Sequence, residues 1–161
     1  MEVKDRIIVA LDVDSLDKVK SLVESLAPHV GCFKVGLELL TAVGAPKVVE
    51  FVHSLGGQVF YDGKFKDIPN SVAGAVRAVT KMGVKMFNVH CLGGSVMMKA
   101  AKQAAEEIVA GNETMLAGRP VILGVTLLTS LDYKDLVELG IYDELNIADP
   151  KELAEIKHER I

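Results

Sequence analysis

The stretch VFYDGKFKDIPNSVAG, Val59–Gly74, places two acids and two lysines where an apolar strand gives way to a helix. The strand is expected over Gln58–Phe65, and Pro69 falls in the first turn of the following helix, where its missing N–H has no partner to lose. Working outward, IIVALDV (Ile7–Val13) predicts a buried first strand. A helix over Ser15–Leu26 follows, with Ser15 as N-cap and Pro28 as stop. GCFKVGLELL starts a second strand at Gly31, and a helix near Ala45–Leu55 ends at Gly56-Gly57. VKMFNVHCL (Val84–Leu92) is a fourth strand, and the helix through MMKAAKQAAEEIVAG closes at Gly111. A buried fifth strand is expected over Pro120–Ser130, and LDYKDLVELG forms a short helix closed by Gly140.

Apolar strands joined by amphipathic helices pair in parallel with helices on their faces, either as an open doubly wound sheet or as a (β/α)8 barrel. Polar residues gather at or after several strand ends: Asp12, Lys34, Asp62 with Lys64, His90, and Thr129 with Ser130. In a barrel those positions surround one mouth, whereas an open sheet spreads them along an edge. No Gly-x-Gly-x-x-Gly follows the first strand, which counts against a dinucleotide fold. The expected fold class is therefore α/β, of the (β/α)8 TIM-barrel type. It is incomplete, with about five βα units in a single partial domain over residues 1–161. Residues 141–161 read as polar and helical, without a sixth apolar strand.

Half of the 161 residues are apolar and the net charge is −4, enough for one cored domain and without the basic stripe that nucleic acid requires. The lack of tryptophan argues against a base-stacking surface. No apolar run nears the ~18 residues of a membrane span, and the N-terminus lacks the pattern of a secretory signal. Cys32 and Cys91 have no metal-ligand spacing and are expected to be reduced core thiols in a cytoplasmic protein. His29, His53 and His158 are expected at the surface, and His90 as a structural residue at least as readily as a pocket one. Gly93-Gly94 reads as a tight turn, Met97-Met98 as core, and Asn112–Arg119 as a loop.

Asp62 and Lys64 are two apart, so a regular strand points both to one face, and that face is the barrel interior. Asp67 lies in the loop beyond, while Lys66 alternates away and is expected in solvent. Lys34 and Asp12, from the two preceding strands, should approach the same pocket. Alternating carboxylates and ammonium groups keep one another ionised against desolvation and set fixed charge in place before a substrate arrives. A lysine so held can protonate a carbanion as it forms. Isolated surface pairs contribute only ~0–1 kcal/mol each, but five charges on three neighbouring strand ends point to a built array.

These residues carry a family resemblance. ALDVDS, FKVGLEL, DGKFKDIPNS, FNVHCLGGSVMM and VTLLTSLDYKDLVELG resemble, in order from about residue 6 to residue 140, the orotidine 5′-phosphate decarboxylases. The Asp-x-Lys-x-x-Asp part is shared with a wider superfamily of sugar-phosphate aldolases and decarboxylases, whereas Ile68-Pro69-Asn70 narrows it. The resemblance implies conversion of orotidine 5′-monophosphate to uridine 5′-monophosphate with no metal and no organic cofactor. It implies Lys64 as proton donor, Asp62 beside the departing carboxylate, and Lys34 completing the network at the ribose. Asp12 would bind the ribose hydroxyls, and Ile68, Thr129 and Ser130 would contact substrate. Asp67 and Ser71 would reach the partner's site across a homodimer interface. Gly63 stands where the family usually has an apolar residue, so lost packing is expected there. The family's phosphate grip comes from late strands, and none of Arg6, Arg77, Arg119 and Arg160 lies in a matching motif. The chain is therefore expected to be the N-terminal two-thirds of such an enzyme. The rivals are a sugar-phosphate lyase or aldolase of the superfamily and a truncated, non-catalytic relative.

Overall fold

Strand and helix alternate along the chain in a computed structural model, which describes residues 2–111 and 118–141. Two compact units divide the chain, Met1–Thr126 and Leu127–Ile161. In the first, a 3-10 turn (Val3–Arg6) precedes β1 (Ile8–Ala10), α1 (Leu16–Leu26), β2 (Cys32–Val35), α2 (Leu37–Val43) and α3 (Ala45–Ser54). These are followed by β3 (Val59–Phe65), α4 (Pro69–Lys81), β4 (Met86–His90), α5 (Gly94–Ala110) and β5 (Val121–Val125).

All four strand pairings are parallel and the order is β1-β2-β3-β4-β5, so each strand lies beside the next in sequence. That is the singly wound order of a barrel; a doubly wound sheet would reverse at a switch point. Among the described residues β1 and β5 have one strand neighbour each, and the barrel is incomplete. The core lies between the sheet and its helices. Phe33 and Val35 of β2, Val59 of β3 and Phe87 and Val89 of β4 meet Val19 and Val23 of α1, Val48, Val49 and Val52 of α3, and Val72, Val76 and Val79 of α4. Each of the larger side chains contributes roughly 1.5–3 kcal/mol on burial. Met97 of α5 is fully buried and Met98 partly so.

Several expectations change. The apolar run after Gly36 continues as α2, because a short apolar segment serves strand and helix alike. Ser15 does occupy the N-cap of α1, but its side chain makes no capping bond. The first and fifth strands are not buried throughout: Ile8 is 45% exposed and Val121 51%, since each lies on an edge strand. His53, expected at the surface, is half-buried in the last turn of α3, and burial pushes its imidazole pKa down. Gly63 does not leave a packing hole. A Cβ there would overlap Cε1 of Tyr61, whose ring stacks on Phe65 with centroids 5.6 Å apart. Gly94 takes φ 85° at the start of α5, as the tight turn requires.

In the second unit Leu131 N–H donates to the Leu128 carbonyl, and α6 (Tyr133–Glu138) follows. Asp132 caps α6 reciprocally with Asp135, and Gly140 follows its end with φ 66°. Residues 142–161, with the expected polar helix and His158, lie outside the described residues, as does most of the expected loop over Asn112–Arg119.

Candidate active site

Parallel strands in sequential order bring their C-terminal ends side by side, and the charged groups follow. Asp12 just beyond β1, Lys34 on β2, and Asp62 and Lys64 on β3 form one alternating chain. Lys34 Nζ lies 2.9 Å from Asp12 Oδ1 and 3.7 Å from Asp62 Oδ2, and Lys64 Nζ lies 2.6 Å from Asp62 Oδ1. Exposure is lowest at the middle carboxylate: the side chain of Asp12 is 68% exposed, that of Lys34 25%, that of Asp62 11% and that of Lys64 31%. The outer pair is therefore a solvated one, while the inner carboxylate depends on its neighbours. Burial alone would raise the Asp62 carboxyl. Hydrogen bonds from Lys64 and Asn88 and the charges of Lys64 and Lys34 outweigh that and hold it below the ordinary aspartate range.

Lys64 and Asp62 meet, but not because β3 alternates regularly. Tyr61 pairs with Phe87 and Phe65 with Val89, so β3 takes four steps where β4 takes two. The strand bulges, and Lys64 takes φ 47°, the only positive φ outside glycine among the described residues. Asn88, which the sequence reading passed over, lies opposite the bulge. Its Oδ1 accepts from the Lys64 backbone N–H at 2.7 Å, and its Nδ2 donates to Asp62 Oδ1 at 2.7 Å. The side chain is buried among apolar strand residues. A polar residue inside the otherwise apolar run MFNVH was the one signal that could have found it.

Asp67 stays outside the ion-pair chain. Its Oδ1 accepts from the neighbouring Ile68 N–H at 2.7 Å, and Asp67, Ile68 and Ser71 are all exposed where α4 begins. Lys64, Lys66, Asp67 and Ser71 nevertheless line a single open cleft of about 340 Å³. Lys66 is exposed, as expected, and faces this cleft. His90 ends β4 half-buried. Thr129 and Ser130 belong to the second unit, exposed in the turn before α6. Among the described residues no three histidine, cysteine, aspartate or glutamate side chains converge as metal ligands. No described helix is long and apolar enough to cross a membrane.

A family model described as "Orotidine 5'-phosphate decarboxylase / HUMPS family" matches residues 5–155. Among curated proteins, the chain is 51% identical over 146 residues to the orotidine 5′-phosphate decarboxylase of Moorella thermoacetica, covering 90% of this chain and 56% of that protein. It is 46% identical over 138 residues to that of Syntrophomonas wolfei, covering 86% and 56%. The chain thus spans just over half the length of these curated relatives. Among solved structures it resembles the orotidine 5′-phosphate decarboxylase of Lactobacillus acidophilus, with TM-score 0.70 and 34% identity over 90% of this chain and 61% of that one. An uncharacterized conserved protein from Geobacillus kaustophilus matches with TM-score 0.70 and 35% identity, over 92% and 65%. The fold is accordingly an incomplete barrel of the TIM type. By the match over residues 5–155 and by its curated relatives, the chain belongs to the orotidine 5′-phosphate decarboxylase / HUMPS family.

Proposed function

We propose that this chain carries the charge array of an orotidine 5′-phosphate decarboxylase, a lyase that releases CO2 from orotidine 5′-monophosphate and leaves uridine 5′-monophosphate. The observation that carries this reading is the alternation Asp12, Lys34, Asp62, Lys64, in steps of 2.9, 3.7 and 2.6 Å, with Lys64 lining the cleft. Breaking the bond from C6 to the carboxylate leaves its electron pair on C6 as a vinyl carbanion. The ring offers that pair no conventional sink, so stabilisation must come from fixed charge and a delivered proton. Lys64, whose ammonium lies 2.6 Å from Asp62 Oδ1, gives its proton to C6 as CO2 departs and ends as the neutral amine. Asp62, ionised and shielded from water, sets its negative charge near the substrate carboxylate, a repulsion that CO2 loss relieves. Lys34 and Asp12 suit the ribose, one as a donor and the other as an acceptor for its hydroxyls. Neither a metal nor an organic cofactor enters this scheme.

Asp67 and Ser71, exposed beside Lys64 in one cleft, suit contribution to a shared site in a homodimer. On the family resemblance, Ile68 is a candidate for substrate contact, and so, within the second unit, are Thr129 and Ser130. Two free cysteines, Cys32 and Cys91, suit a reducing cytoplasmic setting.

The test is decarboxylation of orotidine 5′-monophosphate by the purified chain, followed by absorbance, beside Lys64→Ala. Turnover lost in the variant supports the reading. Equal rates in the two proteins overturn the role of Lys64. The absence of turnover in both overturns the claim that this polypeptide is itself catalytic and favours the non-catalytic relative.

A further inference from the structure

The irregularity in β3 raises the question of what replaces the missing ladder. Over Asp62, Gly63 and Lys64 the pairing with β4 is interrupted, and a buried strand N–H left without an acceptor is costly. The Lys64 N–H instead finds the side-chain oxygen of Asn88 at 2.7 Å. The same amide spends its donor on Asp62 Oδ1, the oxygen that also receives Lys64 Nζ. One buried side chain thus ties the backbone of the proposed proton donor to the carboxylate that holds its ammonium. A left-handed backbone costs a residue with a Cβ roughly 1–2 kcal/mol, so something must hold Lys64 at φ 47°.

We propose that Asn88 is a positioning residue of this site: its amide closes the gap in the strand ladder, fixes Lys64 in the left-handed conformation and orients Asp62 toward the Lys64 ammonium. Asn88 touches no reacting atom on this reading and acts through the other two. The proposal rests on the decarboxylase reading for its consequence in catalysis, but not for its geometry. Asparagine suits the position because it donates and accepts at the ends of one short planar group, whereas aspartate only accepts and alanine does neither.

The test compares the wild-type chain with Asn88→Ala and Asn88→Asp, with circular dichroism to check that each is folded. The three-bond coupling between the amide and α protons of residue 64, read by NMR without any ligand together with the strong intraresidue amide–α NOE that marks a positive φ, reports its backbone conformation. In Asn88→Ala this coupling is expected to rise to the larger value of extended backbone. In Asn88→Asp the acceptor survives, so the coupling stays, while the second carboxyl raises the Asp62 titration seen by carboxyl-carbon NMR. In the decarboxylation assay, Asn88→Ala is expected to lower kcat about 100-fold, the scale of a misplaced reacting group, with little change in KM. An unchanged coupling at residue 64 in Asn88→Ala overturns the proposal. So does an unchanged kcat in a wild-type background that turns over. A shifted coupling in a chain that shows no turnover upholds Asn88 as the residue that positions Lys64 and refutes only the decarboxylase reading.

Discussion

Asp62 lies between two ammonium groups and an amide, and its titration is where the site meets stability. Its carboxyl is held below the value it has in the unfolded chain, about 3.9 for a free aspartate. The unfolded state therefore binds the proton more readily than the folded one. The stabilisation from the ionised form is fully present above that unfolded value and is lost as pH falls through the lower, folded one. We expect unfolding by urea, measured from pH 6 down to about pH 2, to show a smaller acid-induced loss of stability in Asp62→Asn than in the wild type. Equal pH profiles would show that the ion-pair chain does not favour the charged form of Asp62. His53 runs the other way in cause and the same way in sign. Burial disfavours its charged form, so stability declines as pH falls through about 6.5, the unfolded histidine value. Replacement of His53 by glutamine should flatten the stability profile between pH 7.5 and 5.5, roughly one unit either side of that value.

Among the elements, β3 carries the most chemistry and the least regular geometry. Tyr61 and Phe65 stack across Gly63, and a methyl group added at Gly63 meets the edge of the Tyr61 ring. Gly63→Ala is therefore expected to destabilise the chain by about 1–3 kcal/mol through overpacking, read from the urea midpoint. A neutral result would mean that the Tyr61 ring swings away at little cost. The strand ends that carry the array were legible in the sequence, because parallel strands in sequential order leave few places for Asp12, Lys34, Asp62 and Lys64. The helices over Leu16–Leu26, Pro69–Lys81 and Gly94–Ala110 were legible from period and punctuation. The bulge was not, since register belongs to a pair of strands and a single strand's sequence does not contain it. Asn88 escaped for the same reason: its partners lie 24 and 26 residues away and meet it only through that register. The helix over Leu37–Val43 escaped because its apolar run follows a strand without a break in composition.

For the whole molecule, the sheet is the feature that governs behaviour in solution. Its first and fifth strands each offer an unpaired edge among the described residues, and Val121 and Leu123 alternate onto one exposed face of β5. Open edges beside apolar side chains promote pairing between chains. We expect the wild-type chain to sediment faster as its concentration rises. The double variant Val121→Lys, Leu123→Lys should sediment as a smaller species at the same concentrations. Indistinguishable sedimentation would place any association elsewhere, and the cleft around Asp67 and Ser71 would be the surface to alter next.

The swollen strand also has a consequence for engineering. A designer restoring ideal pairing between β3 and β4 would remove two residues, free Lys64 of its left-handed backbone and release Asn88 from its dual bond. By every local rule of strand design the product would be the sounder scaffold. It would also have dismantled the arch on which a lysine and an aspartate are held in contact. Consensus smoothing or automated stabilisation applied to this chain should leave Tyr61–Phe65 and Asn88 untouched, since here irregularity is the specification.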